Sequence, residues 1–166
     1  MAEFLILRHG EPTLRGVFLG SLDPGLSELG RQQAAAVFID PALAIYSSPL
    51  RRARETAVEL GRPFQIIDQL KEIDYGPWEG MSWAEIEARF PQEASHKMQD
   101  WLGYTVPGAE SWVEFRQRVT VSLGEIRTPA IVIAHLGVNS VLRELITGEP
   151  AMEFRQGYCE IVKLSL

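Results

Sequence analysis

Four consecutive apolar residues, Phe4 to Leu7, run directly into Arg8, His9 and Gly10. A run this short, apolar at every position and closed by charge and glycine, predicts a strand buried on both faces whose C-terminal end opens onto a loop. A stronger signal of the same kind spans Ala130 to Ala134, a β-branched run that also ends in a histidine, His135. Leu43 to Tyr46 and Phe64 to Ile67 are further strand candidates. Cys159 to Leu166, where the alternation is imperfect, predicts a last strand at a sheet edge.

Between these runs the period changes. Ser27 offers an N-cap, and Leu29, Gln33, Ala36 and Val37 recur at helical spacing, which predicts a helix from Glu28 to about Phe38. Ser48-Pro49 reads as a cap followed by proline at the first helical position, with the helix reaching about Leu60. Trp83, Ile86 and Phe90 form another helical pattern, broken at Pro91, and helices are predicted again over residues 92–101, 111–126 and 138–146. Gly10 to Leu26 has glycines and prolines but no period, so it reads as a long loop of the kind that carries function. Strands alternating with helices predict a three-layer α/β/α fold with a mainly parallel central sheet, in which ligands gather at the C-terminal strand ends. Those ends carry Arg8, His9, Ser47, Ser48 and His135.

Composition narrows the classes. The 166 residues suit one domain over 1–166, and 46% apolar with 23% charged residues suits a globular chain better than a disordered or fibrous one. With 22 acidic and 16 basic side chains the net charge is -6, so neither nucleic acid nor an anionic membrane is an expected partner, and an anionic substrate must be captured locally. The single cysteine, Cys159, cannot form an intrachain disulfide. Three histidines, one of them His96 in a polar helix, show no zinc spacing. No metal or cofactor is expected, and the N-terminal apolar run is too short for a signal peptide or membrane span, so a cytoplasmic location is expected.

Four segments carry candidate chemistry. In Leu7-Arg8-His9-Gly10-Glu11 a guanidinium that binds phosphate bidentately lies beside an imidazole that is neutral near pH 7 and free to attack phosphorus; the alternative is a surface pair in a turn. Arg51, Arg52 and Arg54 fall in the first turns of a helix, where a cation opposes the helix dipole unless an anion joins it. The loop Leu70 to Gly80 offers Glu72, Asp74 and Glu79 as proton donors. His135 ends the strongest strand and, if protonated, would stabilise a transferring phosphoryl group; a lone core histidine is the alternative.

Taken together these segments resemble the histidine phosphatase superfamily, the phosphoglycerate-mutase-like group, over nearly the whole chain. The matching residues are Arg8-His9-Gly10-Glu11; Gly20, Asp23, Leu26, Ser27 and Gly30; Ser48, Leu50, Arg52, Ala53 and Thr56; Glu72 ahead of Tyr75-Gly-Pro-Trp-Glu-Gly80; Pro107 to Ser111; and His135 followed by Arg143. The resemblance implies that His9 is the nucleophile, Arg8 and Arg52 the phosphate clamp, His135 the second pocket histidine and Glu72 the general acid, with Arg54 on a helix surface. The sequence departs from the family at Arg15, where asparagine is common, at Leu136, where glycine is common, and at Pro12, which replaces threonine. Arg15, Gly20 and Leu136 are therefore candidate substrate-binding positions.

The length resembles the compact phosphatase branch, similar to α-ribazole phosphatase. This implies a metal-independent phosphomonoesterase acting on a small phosphorylated substrate, with residues 76–111 and their tryptophans Trp78, Trp83 and Trp101, together with Trp112, as a lid. A cofactor-dependent mutase and a non-catalytic phosphate-binding module are the competing readings.

Overall fold

The computed structural model describes residues 3–165. The elements follow the chain as β1 (Phe4–Arg8), α1 (Glu28–Ala35), β2 (Ala44–Ser47), α2 (Arg51–Glu59), β3 (Gln65–Ile66), α3 (Trp83–Arg89), α4 (Pro91–Gln99), α5 (Trp112–Ser122), β4 (Ala130–Ala134), α6 (Leu136–Thr147) and β5 (Ile161–Leu164). The strands form one sheet in the order β3-β2-β4-β1-β5. β1 pairs in parallel with β4 from Phe4 opposite Ala130 to Arg8 opposite Ala134, and β2 pairs in parallel with both β4 and β3. β5 runs antiparallel to β1 and closes the far edge. The sheet is thus mainly parallel, as expected.

Side chains on β4 alternate between two cores because successive residues of a strand point to opposite faces. Ala130, Val132 and Ala134 face Phe115 and Val119 of α5 and Val138, Val141 and Leu142 of α6. Ile131 and Ile133 join Leu7, Ile45, and Ala53 and Ala57 of α2 on the other face. All five β4 residues are fully buried, so the run needed no polar face and its bounds are those the apolar pattern predicts. Truncating Ile133 to alanine should cost about 2–5 kcal/mol. A third cluster, away from the sheet, gathers Trp78, Met81, Ile86, Ala94 and Val106 under α3 and α4, with Phe18, Tyr75 and Trp83 packed against it.

Several boundaries differ from expectation for local reasons. α1 stops at Ala35, because Phe38 is 92% exposed and offers no burial to extend the helix. α2 begins at Arg51 with Leu50 as its N-cap, not at Ser48-Pro49. The Asp23 carboxylate takes the Arg51 N–H, while Ser48 Oγ accepts from Leu50 N at 3.2 Å. β3 shrinks to two residues at the outer edge of the sheet. Trp112 does not join the other tryptophans; its ring lies 5.4 Å from Phe115 against the main core. β5 starts at Ile161, two residues later than expected, and Leu166, the end of the expected strand, lies outside the described residues, as do Met1 and Ala2. Among the described residues no helix is long and apolar enough to cross a membrane.

Candidate active site

The parallel register places the ends of β1, β2 and β4 side by side. His9 N donates to Ala134 O at 3.0 Å and Ser48 N to Ile133 O at 2.9 Å, so the ladder continues one step past the strands and fixes where their next side chains project. The His9 and His135 rings, on adjacent strands, lie 5.2 Å apart.

His9 Nδ1 lies 2.7 Å from Gly10 O. A carbonyl only accepts, so this contact assigns the proton to Nδ1 and leaves the lone pair on Nε2. The Gly10 backbone is held in turn, its N–H donating to Thr56 Oγ1 at 3.0 Å, and a Cβ there would meet Gly30 O. Burial first, then the positive charges of Arg52 and Arg8, lower the His9 pKa from 6.5 to about 3, against the opposing pull of the Gly10 carbonyl. The ring is therefore a neutral base with a free lone pair at physiological pH, which is what a nucleophile requires.

Two arginines flank it. Arg8 Nη1 donates to Gln156 O at 2.8 Å and its guanidinium lies 4.4 Å from the Tyr158 ring centroid. Gln156 is itself tied down, donating to Ile6 O and Glu160 O and accepting from Asn139 Nδ2. Arg52 is buried and spreads its guanidinium over the long loop, with Nη1 donating to Leu22 O at 2.8 Å and Nη2 to Gly20 O at 3.0 Å and Leu19 O at 3.3 Å. Arg8 Nε, Arg52 Nε and His135 Nδ1 are buried with no hydrogen-bond partner among the described residues. Buried donors of this kind call for an acceptor, and the oxygens of one phosphoryl group suit all three.

His135 is held through Nε2, 2.8 Å from Ser48 Oγ. That hydroxyl accepts from Leu50 N, and Nε2 is the one acceptor beside it for its own proton among the described residues; the proton is assigned there, which leaves the other proton of the neutral ring on Nδ1. Burial and then the Arg52 charge hold its pKa well below the usual histidine value. Of the two forms left open by the sequence, burial favours the neutral ring, which can meet an anion as a hydrogen-bond donor.

Glu72 faces the same cavity and is buried. Its Oε2 accepts from Gly137 N at 3.0 Å, in the first turn of α6, and Oε1 accepts from Ile73 N at 3.1 Å. Burial raises its pKa above the usual carboxylate range, and these two N–H groups oppose the rise. Glycine at 137 leaves the Glu72 carboxylate its place, because a Cβ at that position would strike it. From behind, Arg118 on α5 fastens the Glu72 segment, donating to Gln69 O at 2.8 Å, Lys71 O at 2.7 Å and Glu72 O at 3.0 Å. Arg118 is oriented by Glu110, whose Oε1 lies 2.6 Å from Nε and whose Oε2 also accepts from Asp74 N.

The cavity between these groups has a volume of about 420 Å³. Arg15 and Leu136 line it. Gly20 does not line it: its carbonyl holds Arg52 and its N–H donates to Glu79 Oε2 at 3.0 Å. Arg54 is exposed on α2, and Arg143 pairs with Glu149 outside the cavity lining. Among the described residues no group of three or more His, Cys, Asp and Glu is placed to hold a metal ion.

A family model for the histidine phosphatase superfamily (branch 1) matches residues 4–166. The chain belongs to that superfamily. Glucosyl-3-phosphoglycerate phosphatase of Mycolicibacterium vanbaalenii is 33% identical over 170 residues, covering 89% of this chain and 75% of the relative. The structure of the α-ribazole phosphatase from Shigella flexneri aligns with a TM-score of 0.88 and 25% identity, across 99% of this chain and 90% of that one. A bifunctional protein of Mycobacterium tuberculosis is 34% identical over 150 residues, 81% of this chain, but the chain spans only 41% of that protein's length. Within this histidine phosphatase fold, phosphatase or phosphotransferase chemistry is the coarse activity the family indicates.

Sequence reasoning missed Tyr158 and Phe18. Tyr158 reaches His9, with ring centroids 5.9 Å apart, only because Cys159 N bonds Arg8 O at 3.0 Å as the chain enters β5. No periodic signal reveals a pairing between chain ends. Phe18 sits in the aperiodic loop but bonds to Met81 O and Gly80 N through its backbone and stacks among Tyr75, Trp78, Trp83 and Trp101. An aromatic flanked by apolar Val17 and Leu19 was the one available hint.

Proposed function

We infer that the chain is a phosphomonoesterase that works through a phosphohistidine on His9. The observation that carries this reading is the lone pair on a buried, neutral His9 Nε2, set between two arginines with a protonatable Glu72 lining the same cavity. The Nε2 lone pair attacks phosphorus, the bond to the ester oxygen breaks, and the departing oxygen takes the Glu72 proton and leaves as the alcohol. Glu72, now a carboxylate, takes a proton from water as that water attacks phosphorus. The P–N bond breaks, its electron pair returns to Nε2, and phosphate departs. Arg8, Arg52 and the His135 Nδ1–H supply fixed positive charge and a hydrogen bond to the transferring group, so no step in this scheme needs a metal.

The substrate in this reading is a small phosphorylated metabolite of the cytoplasm. The segment 76–111 covers the leaving-group end: it contributes Trp83 to the cavity and backs Phe18 through the aromatic stack. The test is turnover of p-nitrophenyl phosphate in excess EDTA. Expected are activity in the native chain, its loss in His9→Ala, and an acid-labile, base-stable phosphoenzyme. Activity that survives His9→Ala refutes the mechanism, and phosphate binding without turnover would leave a binding module. Isomerisation of 3-phosphoglycerate in the presence of 2,3-bisphosphoglycerate would make it a mutase.

A further inference from the structure

The cavity wall beyond the phosphate clamp is apolar. Leu14, Val17, Phe18, Leu19, Trp83 and Leu136 supply it; the two tyrosines of the lining belong to the clamp end, Tyr158 under Arg8 and Tyr75 beside Glu72 and Arg52. The charged groups divide cleanly. Arg8 and Arg52 lie with His9 at the inner end, beside Glu72. The remaining cation, Arg15, is 66% exposed and already paired with Glu11 at 3.3 Å. A polyol or a carboxylate placed against the apolar wall would exchange water for carbon, and a buried polar group left without a partner weakens binding.

We propose that the leaving group this site accepts is an uncharged, largely apolar body of aromatic size carrying a single phosphate, recognised by Leu14, Phe18, Trp83 and Leu136. The proposal rests on the phosphomonoesterase reading and deepens it. A sugar phosphate or phosphoglycerate presents several hydroxyls or a second anion where this wall offers only the solvent-exposed Arg15 and the Trp83 indole N–H; a phenyl-bearing alcohol presents only surface that the wall can bury. The aromatic members are held rigidly, Phe18 at 6.1 Å from Trp83 and 5.0 Å edge-on to Tyr75, so the wall is formed in advance of binding.

The test compares esters of primary alcohols, whose leaving groups are similarly basic. The native chain should hydrolyse 2-phenylethyl phosphate with kcat/KM roughly tenfold or more above glycerol 1-phosphate and 3-phosphoglycerate. Leu14→Glu and Trp83→Ala should narrow that ratio severalfold. Leu14 is 44% exposed, so its replacement does not threaten folding even where removal of Trp83 does. In parallel, calorimetry with the non-hydrolysable 3-phenylpropylphosphonate and 3,4-dihydroxybutylphosphonate should show the same preference as binding. Equal or reversed preference in both measurements overturns the proposal. Absence of turnover for every ester with the phosphonate preference intact refutes the phosphatase reading while supporting the apolar site.

Discussion

Replacing Glu72 by glutamine separates the two proton transfers of the proposed cycle. The carboxylate accepts one N–H on each oxygen, from Gly137 at 3.0 Å and Ile73 at 3.1 Å. A carboxamide has one oxygen, so one of those N–H groups then faces an NH2. Leaving a buried donor unsatisfied costs about 1–3 kcal/mol, well within the ~5–15 kcal/mol by which domains of this size are stable, and the variant should fold. Chemically it can neither donate nor accept the proton. For an alkyl phosphate the loss of the general acid should lower kcat by roughly 10²–10⁴-fold, or about 3–5 kcal/mol of barrier. For p-nitrophenyl phosphate the departing phenolate is a weak base and needs little help, whereas water attack on the phosphohistidine still lacks its base. Rapid mixing should therefore show a burst of about one p-nitrophenolate per site followed by a stalled phosphoenzyme. The native chain should also lose activity on the alkaline side as Glu72, its pKa raised by burial, gives up its proton; the variant should lack that limb. A uniform fall for both esters with no burst would refute the assignment of Glu72 as acid and base.

Three other outcomes follow from the same geometry. His9 and His135 are held neutral in the folded chain, His9 down to about 3, so an unfolded chain with histidines near 6.5 binds more protons as pH falls between those values. Stability should thus decline below about pH 6.5, by about 1 kcal/mol per histidine over the first unit, and urea titrations of His9→Asn should show a correspondingly flatter decline. Gly137→Ala gains helix propensity of up to about 1 kcal/mol yet displaces the Glu72 carboxylate; thermal melts should be unchanged or higher while kcat on alkyl phosphates falls tenfold or more, and an unaffected kcat would contradict the contact. Arg118→Ala releases three carbonyls and leaves Glu110 without its cation; denaturant unfolding should register a loss of about 2–4 kcal/mol, and alkyl phosphates should suffer more than p-nitrophenyl phosphate.

The strand that ends at His135 was the most legible because its burial is total: β4 had no solvent face, so apolar residues alone mark its bounds. The start of α2 was misread because a serine-proline pair carries a strong local signal, while the true cap comes from Asp23, distant in the chain. Arg8, His9, Arg52 and His135 were each identifiable by residue type at a strand or helix end, and Glu72 as a loop carboxylate; the fold brings Arg8, His9, Arg52 and Glu72 to one cavity and sets the His135 ring 5.2 Å from that of His9. What remained hidden depends on pairing between distant segments: the Gly20 carbonyl behind Arg52, the Arg118 brace behind Glu72, and Tyr158 over Arg8. Charge and period along the chain do not encode these contacts. The protonation of His135 was hidden too, since it depends on burial that only packing reveals.

Arg8 is the last residue of the first strand, yet its guanidinium is held by Gln156 and lies on Tyr158, and those two are placed by the strand that pairs antiparallel along the sheet's outer edge. Synthesis runs the other way from completion: His9, the proposed nucleophile, emerges first and its neighbour Arg8 is seated last. In the proposed reaction, a growing chain would present His9 without a seated Arg8 until that final strand had docked. A proteolytic cut that freed the same strand would draw Leu164 out of one core and Ile161 out of the other, and would leave Arg8 without its seat.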